Sequence, residues 1–153
     1  MKHILIPTDF SDKSLELIRF TANVFADEEI KITLLHVLRM PEGIGELLML
    51  PRHGNHYRLV NPEFRKGYEE LQRVYQQTIK RMQVEFLYGD TNALFRNFLF
   101  AQHIDAIVYP ENYHFLKPSK DSVDPKGLIR KSGCPVLTNI WEQDIKVLQT
   151  ADI

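Results

Sequence analysis

The residues best placed to do chemistry come directly after the first apolar run. Ile4-Leu5-Ile6 leads into Pro7, Thr8, Asp9 and Ser11, which set a carboxylate between two hydroxyls. At the end of a buried strand such a group either faces a ligand or caps the helix that follows. A second polar cluster, Lys117, Ser119, Lys120 and Ser122, can hold an anion through side chains near a helix start, although Asp121 and Asp124 offset most of its charge. The blander reading is a solvated loop. His53 and His56 are spaced to offer two metal ligands from one turn, but no cysteine and no patterned third ligand accompanies them, so no metal is expected. His36, between Leu35 and Val37, reads as a hydrogen-bonded buried imidazole.

Signatures of catalysis are absent. There is no Gly-x-Ser-x-Gly elbow to present a hydrolase serine, no P-loop and no Gly-x-Gly-x-x-Gly fingerprint. Cys134 precedes Pro135 and reads as a small apolar packing group. A phosphoacceptor receiver domain needs a lysine ending its fifth strand, and Thr138-Asn139-Ile140 is followed by none until Lys146. No catalytic residue is assigned, and the chain is expected not to be an enzyme.

These groups are positioned by an alternation of apolar runs and helix-length segments, the pattern of a parallel α/β sheet covered on both faces. Strands are predicted over 3–7, 31–37, 83–88, 105–109 and 135–140. Ser11 is a fitting N-cap for a helix in which Leu15, Ile18, Ala22, Phe25 and Ala26 recur at three- and four-residue steps. Further helices are predicted over 62–82, around 94–99, and over 124–132 with Gly133 as the stop. Residues 39–61, with Leu47-Leu48-Met49-Leu50 near their centre, read as a long flexible connection, and 110–124 as a second irregular one. A single domain spans 1–153, with a tail at 141–153.

The totals narrow the setting. Lys and Arg number 19 against 20 Asp and Glu, a net charge of −1 that argues against binding a nucleic-acid backbone. The single cysteine precludes an internal disulfide and fits a reducing compartment. The opening apolar run is far shorter than a signal-peptide core, and none approaches the roughly 18 residues of a membrane span. A cytoplasmic protein that engages neither nucleic acid nor membrane is expected.

The Ile6-Pro7-Thr8-Asp9-Phe10-Ser11 junction, Leu34-Leu35-His36-Val37 about one βα unit later, and Gly133-Cys134-Pro135-Val136-Leu137 near the end resemble the universal stress protein family. The resemblance implies a doubly wound, five-stranded parallel sheet of order 3-2-1-4-5, the adenine nucleotide alpha hydrolase-like fold. That order puts a switch point between the first and fourth strands. It implies ligand positions at Pro7, Thr8, Asp9 and Val37, with Asn112 and Ser122 across the switch point. It implies a homodimer through the last strand, with Val136, Leu137, Thr138 and Ile140 at the interface. Nucleotide-binding members follow the fourth strand with a glycine pair three apart and a later Gly-Ser or Gly-Thr, whose bare N–H groups cradle phosphates. Pro110 and Tyr113 stand at the pair here, and 122–124 at the later glycine. The expectation is a binding or regulatory protein of the stress response, with no cofactor and a small ligand or protein as partner. The alternative is a member that holds ATP or AMP with an atypical loop.

Overall fold

Strand β1 (Lys2–Pro7) is where the molecule buries itself first: Ile4, Leu5 and Ile6 are wholly inaccessible. Each such side chain contributes about 1.5–3 kcal/mol of burial, and a strand buried on both faces can sit only inside a sheet. The computed structural model describes residues 1–40 and 55–138. Along the chain β1 is followed by α1 (Asp12–Val24), β2 (Ile30–Leu38), a 3-10 turn (Asn55–Leu59), α2 (Pro62–Val74) and β3 (Ile79–Tyr88). Then come α3 (Asn92–Ala101), β4 (Ala106–Val108), α4 (Lys126–Arg130) and β5 (Val136–Leu137). The pairings between these strands are all parallel and the order is β3-β2-β1-β4-β5, as the resemblance implied.

That order makes the chain step one way through β1, β2 and β3, and the other way through β4 and β5. Crossovers between parallel strands are right-handed, so the reversal sends α1 and α2 to one face and α3 and α4 to the other. Helices α1 and α2 touch closely enough that a Cβ on Gly67 would lie 2.6 Å from Leu15 Cδ1. Helix α2 starts with Asn61 accepting the Phe64 N–H at 2.8 Å and Pro62 in the first turn. The Thr91 hydroxyl caps α3 in the same way, accepting the Leu94 N–H at 3.2 Å.

The second helix is shorter than its predicted span of 62–82. It ends at Val74, and β3 starts at Ile79 rather than 83. The apolar spacing continues through Tyr75 and Ile79, but the Thr78 carbonyl accepts the Ile30 N–H at 2.8 Å and draws the chain into the sheet. Lys80 and Arg81 read as a helix surface in the sequence, yet they sit exposed on an outermost strand, Lys80 pairing with Glu29 at 3.5 Å. The last helix is likewise confined to Lys126–Arg130 within its predicted 124–132, and β4 and β5 are shorter than predicted. Residues 41–54, most of the predicted connection, and 139–153, which hold Ile140 and the predicted tail, lie outside the described residues.

Gly89 turns the chain from β3 toward α3 at a φ of 141°, its N–H donating to the Leu38 carbonyl at 2.7 Å. A Cβ there would stand 2.4 Å from Leu94 Cδ2. Gly89→Ala is therefore expected to lower stability by about 1–3 kcal/mol, read as a lower urea midpoint with an unchanged slope.

Candidate functional site

The carboxyl ends of β1 and β2 lie side by side, with Pro7 opposite Leu35 and the Thr8 N–H donating to the Leu35 carbonyl at 2.8 Å. Thr8 is wholly buried. Its hydroxyl donates to Ser14 Oγ at 3.0 Å and accepts the Phe10 N–H at 3.0 Å. Phe10 adopts a φ of 61°, a left-handed conformation that is costly for a bulky residue. Packing holds it there, with the rings of His36 at 5.0 Å and Phe64 at 5.3 Å. Ser11 takes the N-cap position of α1, but its side chain makes no capping bond. The hydroxyl donates instead to Asp9 Oδ1 at 2.6 Å.

Asp9 is buried, at 4% exposure, and both its oxygens are engaged by the segment that follows β4. The Tyr113 hydroxyl donates to Oδ1 at 2.7 Å and the Leu116 N–H donates to Oδ2 at 2.9 Å. The Ser11 N–H adds a bond to Oδ1 at 3.2 Å. Burial, and next the bond to Asp9, push the Tyr113 phenol far above its ordinary range, while the Ser11 hydroxyl opposes them. Tyr109, 5.1 Å away ring to ring, is raised by burial and by Asp124, to which its hydroxyl donates at 3.0 Å. Both phenols stay protonated as donors.

His36 closes the other end of the same segment. Its Nδ1 lies 2.7 Å from the Thr8 carbonyl, which can only accept, so Nδ1 carries the proton. In the neutral ring Nε2 then accepts from Ser122 Oγ at 2.8 Å. Burial pulls this histidine below its ordinary value, against the opposing pull of the Thr8 carbonyl and Asp9. Phe115 stacks on the imidazole at 5.9 Å. The Val123 N–H donates to the Val37 carbonyl at 3.0 Å, and Leu38 and Ser122 form an antiparallel bridge.

The structure thus brings Pro7, Thr8, Asp9, Val37 and Ser122 together at one edge, whereas Asn112 is exposed on the loop above them. Of the cluster Lys117, Ser119, Lys120 and Ser122, both serines are engaged locally and both lysines are exposed. Ser119 Oγ accepts the Asp121 N–H and Ser122 Oγ accepts the Ser119 N–H, both at 3.2 Å, so these hydroxyls organise their own turn. Of the histidine pair, His56 packs beside Phe86 and Tyr88 and His53 lies outside the described residues. Among the described residues no group of three His, Cys, Asp or Glu could hold a metal ion. Tyr113 and Phe115 look in the sequence like bulk in a loop, and only their contacts mark them as part of this site.

The universal stress protein family model matches residues 1–108. The chain belongs to the universal stress protein family. Solved structures agree at the level of fold. UspA from Lactobacillus plantarum matches with a TM-score of 0.55 at 15% identity, over 90% of this chain and 97% of that one. A family protein from Arabidopsis thaliana, solved with AMP bound, matches with a TM-score of 0.53 at 13% identity, over 94% of each chain. The hypothetical protein MJ0577 matches with a TM-score of 0.51 at 19% identity, over 90% of this chain and 94% of that one. The sheet order is that of the MJ0577-like adenine nucleotide alpha hydrolase fold. No curated protein matches the chain. No helix among the described residues is long and apolar enough to cross a membrane.

Two outcomes are expected of this universal stress protein's edge. Tyr113→Phe, which deletes one donor to a buried carboxylate, should cost about 1–3 kcal/mol, measured by urea unfolding. His36, His3 and His56 all lie below the ordinary value of 6.5, chiefly through burial. The unfolded chain therefore binds more protons, and the stability these groups contribute is present above pH 6.5 and is lost as pH falls below it. The urea midpoint should drop between about pH 7.5 and about pH 5.5, less steeply in His36→Gln, with the His36 ring signals titrating below 6.5 by NMR.

Proposed function

We propose that this universal stress protein is a non-catalytic binding or regulatory protein of the stress response, whose carboxyl-edge site is occupied by its own 110–124 loop. On this reading it does not take ATP in the way that glycine-looped members do. The observation that carries the proposal is the double engagement of Asp9 by the Tyr113 hydroxyl and the Leu116 N–H. A ligand that used this carboxylate would have to displace both donors. Pro110 supplies no N–H, and Tyr113 carries a buried ring where the family resemblance calls for bare backbone. Small ligands or a protein partner would be recognised at the rim formed by Thr8, Asp9, Val37 and the loop.

The second reading, an adenine-nucleotide binder with an atypical phosphate loop, draws on the Arabidopsis family protein that holds AMP on the same fold. We also propose a homodimer through the outer edge of β5, where Val136, Leu137 and Thr138 are only half-buried and no further strand lies alongside among the described residues. A cytoplasmic setting fits the single, half-buried cysteine.

Calorimetric titration with ATP, ADP and AMP in the presence of magnesium is expected to show no binding tighter than about 10 μM, or about −7 kcal/mol. Tighter binding overturns the first reading in favour of the second. Light scattering after gel filtration should give twice the 17.9 kDa chain mass, and a monomer at micromolar concentration removes the dimer.

A further inference from the structure

We propose that the outer edge of β3 and the groove beside it dock an extended acidic peptide segment of a partner protein as an added strand. Among the described residues strand β3 is the last in the sheet on its side and pairs only with β2. Beyond its first residue, whose N–H donates to the Tyr75 carbonyl at 2.8 Å, no backbone group along its outer side is hydrogen-bonded among the described residues. It runs for 10 residues, long for an open edge, and leaves alternate N–H and C=O groups facing outward. Such a row is the template on which extended peptides add.

A groove runs beside the strand. A cleft of about 360 Å³ lies between the 3-10 turn, α2 and β3, and adjoins one of about 430 Å³ between the turn and α2, the two sharing Tyr57, Val60, Arg65 and Glu69. Tyr57 is half exposed, and its ring stands edge-on to Phe86 at 5.0 Å, so it offers a fixed apolar wall. Met82 and Val84 of β3 and Tyr68 of α2 line the inner end. Alternate side chains of an added strand would fall into this trough, while the intervening ones pointed away.

Charge selects the occupant. Arg58, Arg65 and Lys66 line the outer cleft against the single carboxylate of Glu69, and among the described residues none of the three cations has an ion-pair partner within 4.0 Å. Arg81 adds a further exposed cation on the strand itself. An acidic strand meets complementary charge. A nucleic acid fits less well, because the outward groups of the strand match a peptide backbone and the chain carries no basic excess.

The test uses the full chain and fluorescein-labelled dodecapeptides of alternating glutamate and valine, or of alternating lysine and valine. The acidic peptide should bind at least about tenfold tighter than the basic one and shift the backbone amides of 80–86 in NMR spectra. The double charge reversal Arg65→Glu/Lys66→Glu, at two exposed positions, should weaken it by at least about tenfold, as should N-methylation of alternate peptide amides. Amides of β1 serve as the check that the variant is folded. Equal affinity for the two peptides, indifference to charge reversal or to N-methylation, or shifts that map away from β3 would each overturn the proposal. So would an oligothymidylate that displaces the acidic peptide from the same amides.

Discussion

A buried carboxylate must be answered by donors, and the edge of this molecule is arranged around that demand. Asp9 sits just past the end of the buried strand β1, at 4% exposure, where water scarcely reaches it. An unmatched charge at such a position costs several kcal/mol, so the donors that reach it are as necessary to the fold as the apolar core. Two come from Ser11 beside it and two from the loop after β4. Meeting the need of one side chain thus fixes the course of a glycine-poor loop that has little regular structure of its own. The same edge gives Ser122 a buried acceptor in His36, and Phe10 its rings to lean on.

How far this can be read from the chain depends on the range over which each signal acts. Ile4-Leu5-Ile6 is a local, uninterrupted run, and it announces a buried strand without help from elsewhere. The order of strands is not local; it came from the family resemblance at the Pro7-Thr8-Asp9 junction and near Cys134-Pro135. The overlong second helix shows the limit of periodicity, since Tyr75 and Ile79 keep helical spacing while the partner strand at Ile30 decides where the helix must stop. Tyr113 was out of reach for a different reason. Nothing within its own neighbourhood says that its hydroxyl will meet a carboxylate 104 positions earlier.

The two ends of the sheet are unlike one another. On one side β5 is a two-residue strand with half-buried apolar side chains. On the other, β3 is long, bordered by cations, and flanked by a groove. Between them the switch point is filled by aromatic side chains from the loop. The middle of the sheet is thus closed by the chain's own loop, whereas β3 has no strand on its outer side among the described residues.

The long reach of the Asp9 to Tyr113 bond has a consequence for how the molecule comes together. The β1–β2 pairing closes loops of 28 residues, as in Pro7 to Leu35, whereas the bond from Tyr113 spans 104. The entropy lost on closing a loop rises with the logarithm of its length, so the clamp is among the most expensive contacts in chain freedom. It is compensated only once the intervening strands and helices have already shortened the path. A nascent chain that has not yet presented Tyr113 carries the sheet's first three strands with Asp9 answered by Ser11 alone, and the burial of that carboxylate is completed from the far half of the sequence.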